Sequence, residues 1–226
     1  MIAVDGAGDQ RIIHRALGAR RYRVSFDGPG GHSWSAFGAP NAIHAAAGAT
    51  ARLAAIPLSR EPRTTLSVGR IGGGTSVNAI PDQAWLELDV RSTGTRALDR
   101  METEVHRAIS AAVDDENARR ARDTRALTAH VTRIGDRPGG ETDAAHPLVE
   151  AASAFTRLSG RDPELAIAST DANVPIGLGI PAIAIGAGGR GGDAHAPTEW
   201  FENVDGLRGV ARALAIVLYA AQSPAG

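Results

Sequence analysis

Over residues 21–135 the spacing of apolar side chains changes in a fixed order: strand, helix, strand, strand, helix, strand. "RYRVSF" alternates polar and apolar residues and stops at "DGPGGH", as a half-buried strand entering a glycine loop does. Pro40 then opens a helix through "PNAIHAAAGATARLAAI", with Ile43, Ala46, Ala47, Leu53 and Ile56 at roughly helical spacing and Pro57 as its stop. "TTLSVGRI" and "AWLELDVRS" both alternate and are joined by "GGGTSVNAIPDQ". Residues 98–121 read as a second helix on Leu98, Met101, Val105, Ile109 and Val113, with the charged "DDENARRARD" expected to form an exposed, frayed end. "LTAHVTRIG" supplies the fourth strand. This order predicts the ferredoxin-like split βαβ arrangement, one antiparallel sheet with two helices on one face.

The flanks follow another rhythm. After "GDRPGGETDAAHP" come a helix over 148–158, the strand "ELAIAS", a short helix in "DANVPIGLG", the strand "PAIAIG" and a closing helix over 204–221. Such βα alternation belongs to a mostly parallel sheet covered by helices. Two strands are too few for that sheet, and "MIAVD" at the start is the one further candidate. The expected fold class is therefore a partial α/β domain with a mostly parallel sheet, residues 1–20 and 135–226, interrupted by an inserted α+β ferredoxin-like domain, residues 21–134. The arrangement also predicts that the first part of the α/β domain lies outside these residues. An exposed sheet edge follows from that, and with it poor solubility or a partner chain.

Composition excludes several classes. A net charge of −1 over 226 residues leaves no basic surface for nucleic acid, and all the Lys+Arg count is arginine. With no cysteine there is no disulfide, thiolate metal site or cysteine nucleophile, so any metal must be held by His and carboxylates. No run of about 18 uncharged apolar residues marks a membrane span, and the start has no signal-peptide pattern. A cytoplasmic protein without membrane contact is the expectation.

Few of the short motifs survive inspection. "AIAIGAGGRGG" holds a literal G-x-G-x-x-G, but "DAHAPTEWF" follows it with no early helix to face a pyrophosphate. There is no P-loop and no G-x-S-x-G elbow. What remains is a set spread over both parts: Asp5, His32, Asn78, Arg91, "STDAN" and His195. Each has a bland alternative: turn residues for Asp5, His32 and Asn78, a surface cation beside Asp89 for Arg91, and a helix cap for Ser169 or Thr170. His195 stands evenly between ligand and loop histidine.

Taken together and in order, three blocks resemble the M20 family of zinc-dependent peptidases and amidohydrolases, near its peptidase-T-like and carboxypeptidase-like members. They are "VSFDGPGGHSWSAFGAPNAIHA", "GRIGGGTSVNAIPDQAWLELDVRS" and "STDANVPIGLGIPAIAIGAGGRGGDAHAPTEWF", and the resemblance covers almost the whole chain. It implies a lid or dimerisation domain inserted into a catalytic domain, a homodimer, and a site holding two zinc ions. Asp5 matches an acidic ligand just before the lid, and His195 the final histidine ligand, on the other metal. His32 matches the lid histidine that stabilises the oxyanion in the partner subunit's site. Asn78 and Arg91 match lid residues at the substrate's carboxylate or carbonyl end, and Thr170 and Asn173 match the substrate-pocket wall.

Three features implied by the resemblance have no counterpart here: a His-x-Asp pair, a bridging Asp and a Glu-Glu pair that includes the general base. His14 and His44 are poorly placed to replace them. The first reading is therefore a portion of a hydrolase acting on small peptides or N-acyl amino acids through metal-activated water, inactive by itself. Its rivals are a non-catalytic dimerisation or binding protein and a small-molecule-binding regulatory domain. An upstream coding segment with the missing motifs would separate the first from the others.

Overall fold

The computed structural model describes residues 1–194 and 196–222. The chain runs β1 (Ile2–Val4), β2 (Arg11–Ala16), β3 (Gly18–Asp27), β4 (Gly31–His32), α1 (Ala42–Ala54), β5 (Thr64–Gly73), β6 (Ala79–Ile80), β7 (Gln83–Ser92), α2 (Thr95–Ala118), β8 (Thr128–Arg137), β9 (Gly140–Glu141), α3 (Pro147–Leu158), β10 (Glu164–Ala168), α4 (Asn173–Gly177), β11 (Ile183–Ile185), β12 (Arg190–Gly192), β13 (Trp200–Glu202) and α5 (Gly206–Gln222). It divides into two units, Ala19–Asp136 and the remainder, Met1–Gly18 with Arg137–Gly226. Among the described residues no helix is long and apolar enough to cross a membrane.

The inserted unit is the ferredoxin-like element, with strand order β5-β7-β3-β8. Alternation builds it. On β7, Ala84, Leu86, Leu88, Val90 and Ser92 are buried while the residues between them face out, as a two-residue period requires. Tyr22, Val24 and Phe26 of β3 join them. Onto this face α1 lays Ala42, Ala45, Ala46, Ala49 and Leu53, and α2 lays Leu98, Met101, Val105, Ala108, Ile109 and Ala112. Full burial of each larger side chain contributes about 1.5–3 kcal/mol.

Two helix expectations need correction. The buried stripe of α1 runs through its alanines, and Ile43 stands outside it. Asn41, after Pro40, is the cap, accepting from the Ile43 and His44 amides at 2.9 and 3.1 Å. The charged end of α2 is not frayed up to Ala118. Glu116 is buried and accepts the Asn41 amide at 2.8 Å, while Asn117 exchanges two hydrogen bonds with the Leu127 backbone, at 2.9 and 2.8 Å. The carboxylate and amide turn inward because they satisfy backbone groups of neighbouring segments.

In the other unit the sheet order is β1-β11-β2-β10, with β9 on β2. Strands β1 and β11 are parallel, as are β2 and β10, whereas β2 runs antiparallel to both β11 and β9. The sequence reading missed β2, and its short connection explains the mixed pairing. Only a short loop separates Val4 from Arg11, too little for a parallel crossover, so β2 must return against β1 and hence against β11. On β11, Ile183 and Ile185 pack with Leu148, Val149, Ala152 and Ile216 of α3 and α5, while Ala182 and Ala184 pack with Ala172 and Ile176 beside α4. His14, on the inward face of β2, is a satisfied core histidine: its Nδ1 lies 2.7 Å from Thr142 O.

Candidate functional site

Asp5 follows β1 directly, exposed, at the start of a loop that is laced to the glycine run after β11. The Asp5 amide donates to Ile185 O at 2.9 Å, the Ala187 amide to Gly6 O at 2.9 Å, and Gly8 and Gly188 exchange bonds of 3.0 and 2.9 Å. Glycine is needed for this. A Cβ on Gly186 would overlap Gly8 O, and one on Gly209 would overlap Ala187 O from the side of α5. Three backbones therefore meet without intervening side chains. The glycine run continues into β12, which pairs antiparallel with β13, so no helix begins there and the dinucleotide fingerprint stays excluded. His195, between β12 and β13, lies outside the described residues.

Arg212 locks this assembly from α5, and sequence reasoning missed it. Nearly fully buried, it donates to Asp9 O, to Gly186 O at 3.1 Å and to Thr156 Oγ1 at 3.3 Å. Burial lowers its pKa, against the opposing pull of Asp9. The Asp9 carboxylate itself accepts from Arg161 Nε at 3.1 Å. A signal existed: Gly209, Arg212 and Ile216 recur on one helical face, placing an arginine where the neighbours demand burial.

Thr170, in the turn before α4, and Asn173, the first residue of α4, come together at an N-terminus whose cap position, Ala172, makes no side-chain hydrogen bond. Asn173 Oδ1 accepts the Thr170 amide at 2.7 Å, and Thr170 Oγ1 accepts the Ala172 amide at 3.2 Å. Asn173 Nδ2 donates to Leu17 O at 2.9 Å and Pro138 O at 3.0 Å. Both donors of this buried amide thus go to the backbone, tying together the segments on either side of the insertion.

In the inserted unit, β4 pairs with β6 and brings His32 opposite Ala79, while the Ser33 amide donates to Asn78 O at 2.9 Å. His32 and Asn78 are thereby neighbours, both exposed. Asn78 Oδ1 accepts from Ser76 Oγ. His32 Nδ1 accepts the Trp34 amide at 3.2 Å, which assigns the proton of the neutral ring to the outward Nε2. Arg91 stands apart on β7, its Nε donating to Asp89 at 2.7 Å, and Arg21 Nε reaches the same carboxylate at 2.9 Å. Burial pushes the Asp89 pKa up, but the hydrogen bonds from Arg91 and Arg21 outweigh it and hold it below its ordinary value. Alongside, Arg23 and Arg70 share Glu87 and lie 4.5 and 5.1 Å from the Trp85 ring centroid.

No group of three or more His, Cys, Asp or Glu among the described residues could hold a metal ion. A catalytic zinc keeps three protein ligands, so the described residues do not by themselves fit a metal pair.

Residues 16–117 match the family of the M20 peptidase dimerisation domain. Among solved structures, the chain is similar to aminopeptidase PepT of Bacillus cereus (24% identity, TM-score 0.77, 98% of this chain and 57% of that one). It is similar as well to a tripeptidase of Staphylococcus aureus (21%, 0.74, 98% and 57%). A third, YxeP of Bacillus subtilis, described as a dinuclear metal-binding peptidase of the M20 family, matches at 18% identity and TM-score 0.67, over 97% of this chain and 57% of that one. The chain thus spans little more than half the length of these relatives. No curated protein matches it.

Proposed function

With an M20 peptidase dimerisation domain over residues 16–117 and the fold of the M20 peptidases as the premise, we propose that this chain contributes part of the active site of a metal-dependent hydrolase of small peptides or N-acyl amino acids. The observation that supports the reading is the lacing of the Asp5 loop to the glycine run, backbone to backbone with no side chains between them. In this reading Asp5 and His195 each serve one zinc of a pair, which when bound activates water and polarises the scissile carbonyl. His32 presents Nε2–H as the oxyanion donor in a partner subunit. Asn78 and Arg91 bind the substrate's carboxylate or carbonyl end, with Thr170 and Asn173 in the pocket wall. A homodimer forms through the inserted unit, and the protein is cytoplasmic.

Two ligands are too few for two metals, so the 226 residues alone hydrolyse nothing and the remaining ligands come from elsewhere. Elemental analysis and amide turnover of the purified protein test this. We expect substoichiometric zinc and no turnover of dipeptides or N-acyl amino acids; stoichiometric zinc with chelator-sensitive turnover would contradict it. The pairing of Arg91 with Asp89 and the use of the Asn173 amide on backbone favour a second reading, a non-catalytic dimerisation protein with a vestigial pocket. That reading gains if adding zinc and the part of Bacillus cereus PepT outside the match yields no turnover.

A further inference from the structure

A groove of about 500 Å³ opens within the inserted unit, between the turn after β4, the connection into β6 and the residues that close α2. Backbone hydrogen bonds hold these three segments together. Strand β4 pairs with β6 through Gly31 opposite Ile80 and His32 opposite Ala79, the Ser33 amide donates to Asn78 O at 2.9 Å, and the Ala121 amide donates to Gly38 O at 2.8 Å. Gly38 takes a φ of +96°, which glycine adopts without strain. The shape of the groove is therefore set by the backbone.

Its lining is mainly apolar and open to solvent. Phe37 and Val77 come from two different loops and are 87% and 103% exposed, while Pro40 and Ile80 in the same lining are buried. Two apolar side chains that reach into solvent over one concave surface offer contact to an apolar group.

The charge of the lining is unbalanced. Glu116 is its one carboxylate; it is buried, accepts the Asn41 amide, and has His44 Nδ1 at 3.7 Å and an Arg119 nitrogen at 4.0 Å. Arg120 has no carboxylate partner among the described residues, and its one hydrogen bond goes to Thr124 O at 3.0 Å. A cation at a helix C-terminus is favoured by the macrodipole alone. Here it stands on an apolar groove with donors to spare, and an apolar surface with one converging charge is the chemistry of a small-molecule site.

We propose that this groove binds a small organic acid with an apolar body, an aryl or alkyl carboxylate, its carboxylate on Arg120 and its body against Phe37 and Val77. A guanidinium offers a carboxylate two parallel N–H groups. A neutral isostere loses that pair, and a short acid loses the apolar contact. Every lining residue belongs to the inserted unit, so the binding needs no metal and does not rest on the hydrolase reading.

The full 226-residue chain is titrated calorimetrically in EDTA with phenylbutyrate, indolepropionate and octanoate, each beside its neutral amide, and with acetate as the charge without a body. Arg120→Gln removes the cation and Val77→Ser the apolar contact; Arg96→Gln, at an exposed arginine in the first turn of α2, is the control, and urea midpoints of each free variant establish that folding is intact. We expect saturable binding of the acids, with the amides and acetate about tenfold weaker. Arg120→Gln should weaken the acids about tenfold and Val77→Ser several-fold, with Arg96→Gln equal to wild type. The comparison of acid with amide uses wild type alone, so it stands whatever the variants do. Absence of saturable binding by all three acids, equal binding of acids and amides, or groove variants that bind as wild type does each overturn the proposal. Binding that weakens as protein concentration rises makes a second copy the occupant and overturns it as well.

Discussion

The two units solve the same problem of covering a sheet with unequal success. In Ala19–Asp136 α1 turns an alanine-rich stripe and α2 a mixed aliphatic one onto one face of the sheet, and the opposite face is a lattice of arginine–carboxylate pairs. Its apolar stripes are spent within the unit. The other unit has two small cores split across β11, an unpaired strand edge and a helix whose outer side is apolar. The difference teaches that two units of one chain can cover their sheets unequally, and the disposition of apolar surface, more than chain order, shows where.

The largest test of that contrast is Phe26→Ala, which empties a fully buried site in the inserted core. A cost of about 3–5 kcal/mol is expected in the urea unfolding of that unit, with the other unit's transition unmoved. Next comes Arg212→Ala. It removes three donated hydrogen bonds and leaves the Asp9 and Gly186 carbonyls unpaired, for an expected loss of about 3 kcal/mol. Faster amide exchange at Gly8, Ala187 and Gly188 would locate the damage; an unchanged pattern would show that the lacing needs no clamp. Asn173→Ala should cost about 2 kcal/mol, because the Leu17 and Pro138 carbonyls lose their donor, and should leave the inserted core's protection intact.

The smallest effect is a pH dependence confined to the inserted unit. Hydrogen bonds from Arg133 hold the Glu102 pKa down against burial, with the charges of Arg133 and Arg20 adding to them. A carboxylate depressed in the folded state contributes stability above its unfolded value, about 4.3, and loses it as pH falls through the folded value. The side chain is partly exposed, so the contribution is no more than about 1 kcal/mol. Urea midpoints taken from pH 6 down to 3 should fall more steeply for wild type than for Glu102→Gln.

Strong periodicity made the inserted unit legible: β3, α1, β5, β7, α2 and β8 all lie where apolar spacing sets them. Strand β2 escaped notice because its inward positions are Ile12, His14 and Ala16, and a histidine and an alanine carry little apolar signal. The end of α2 departs from expectation for a related reason: Glu116 and Asn117 turn inward to serve backbone groups 75 and 10 residues away, which no local pattern announces. The site divides similarly. The neighbourhood of His32 and Asn78 comes from the β4–β6 pairing, and that of Asp5 and the glycine run from backbone hydrogen bonds. The backbone duties of Asn173 and the clamp of Arg212 depend on carbonyls far off in sequence and emerge only from the fold.

Hydrogen exchange across a urea series tests the central contrast most directly. The account predicts that peptides from β1, β11 and α5 lose protection at lower urea than peptides from β3, β7 and α2, which keep theirs through that first transition. One shared transition for all six elements would contradict it.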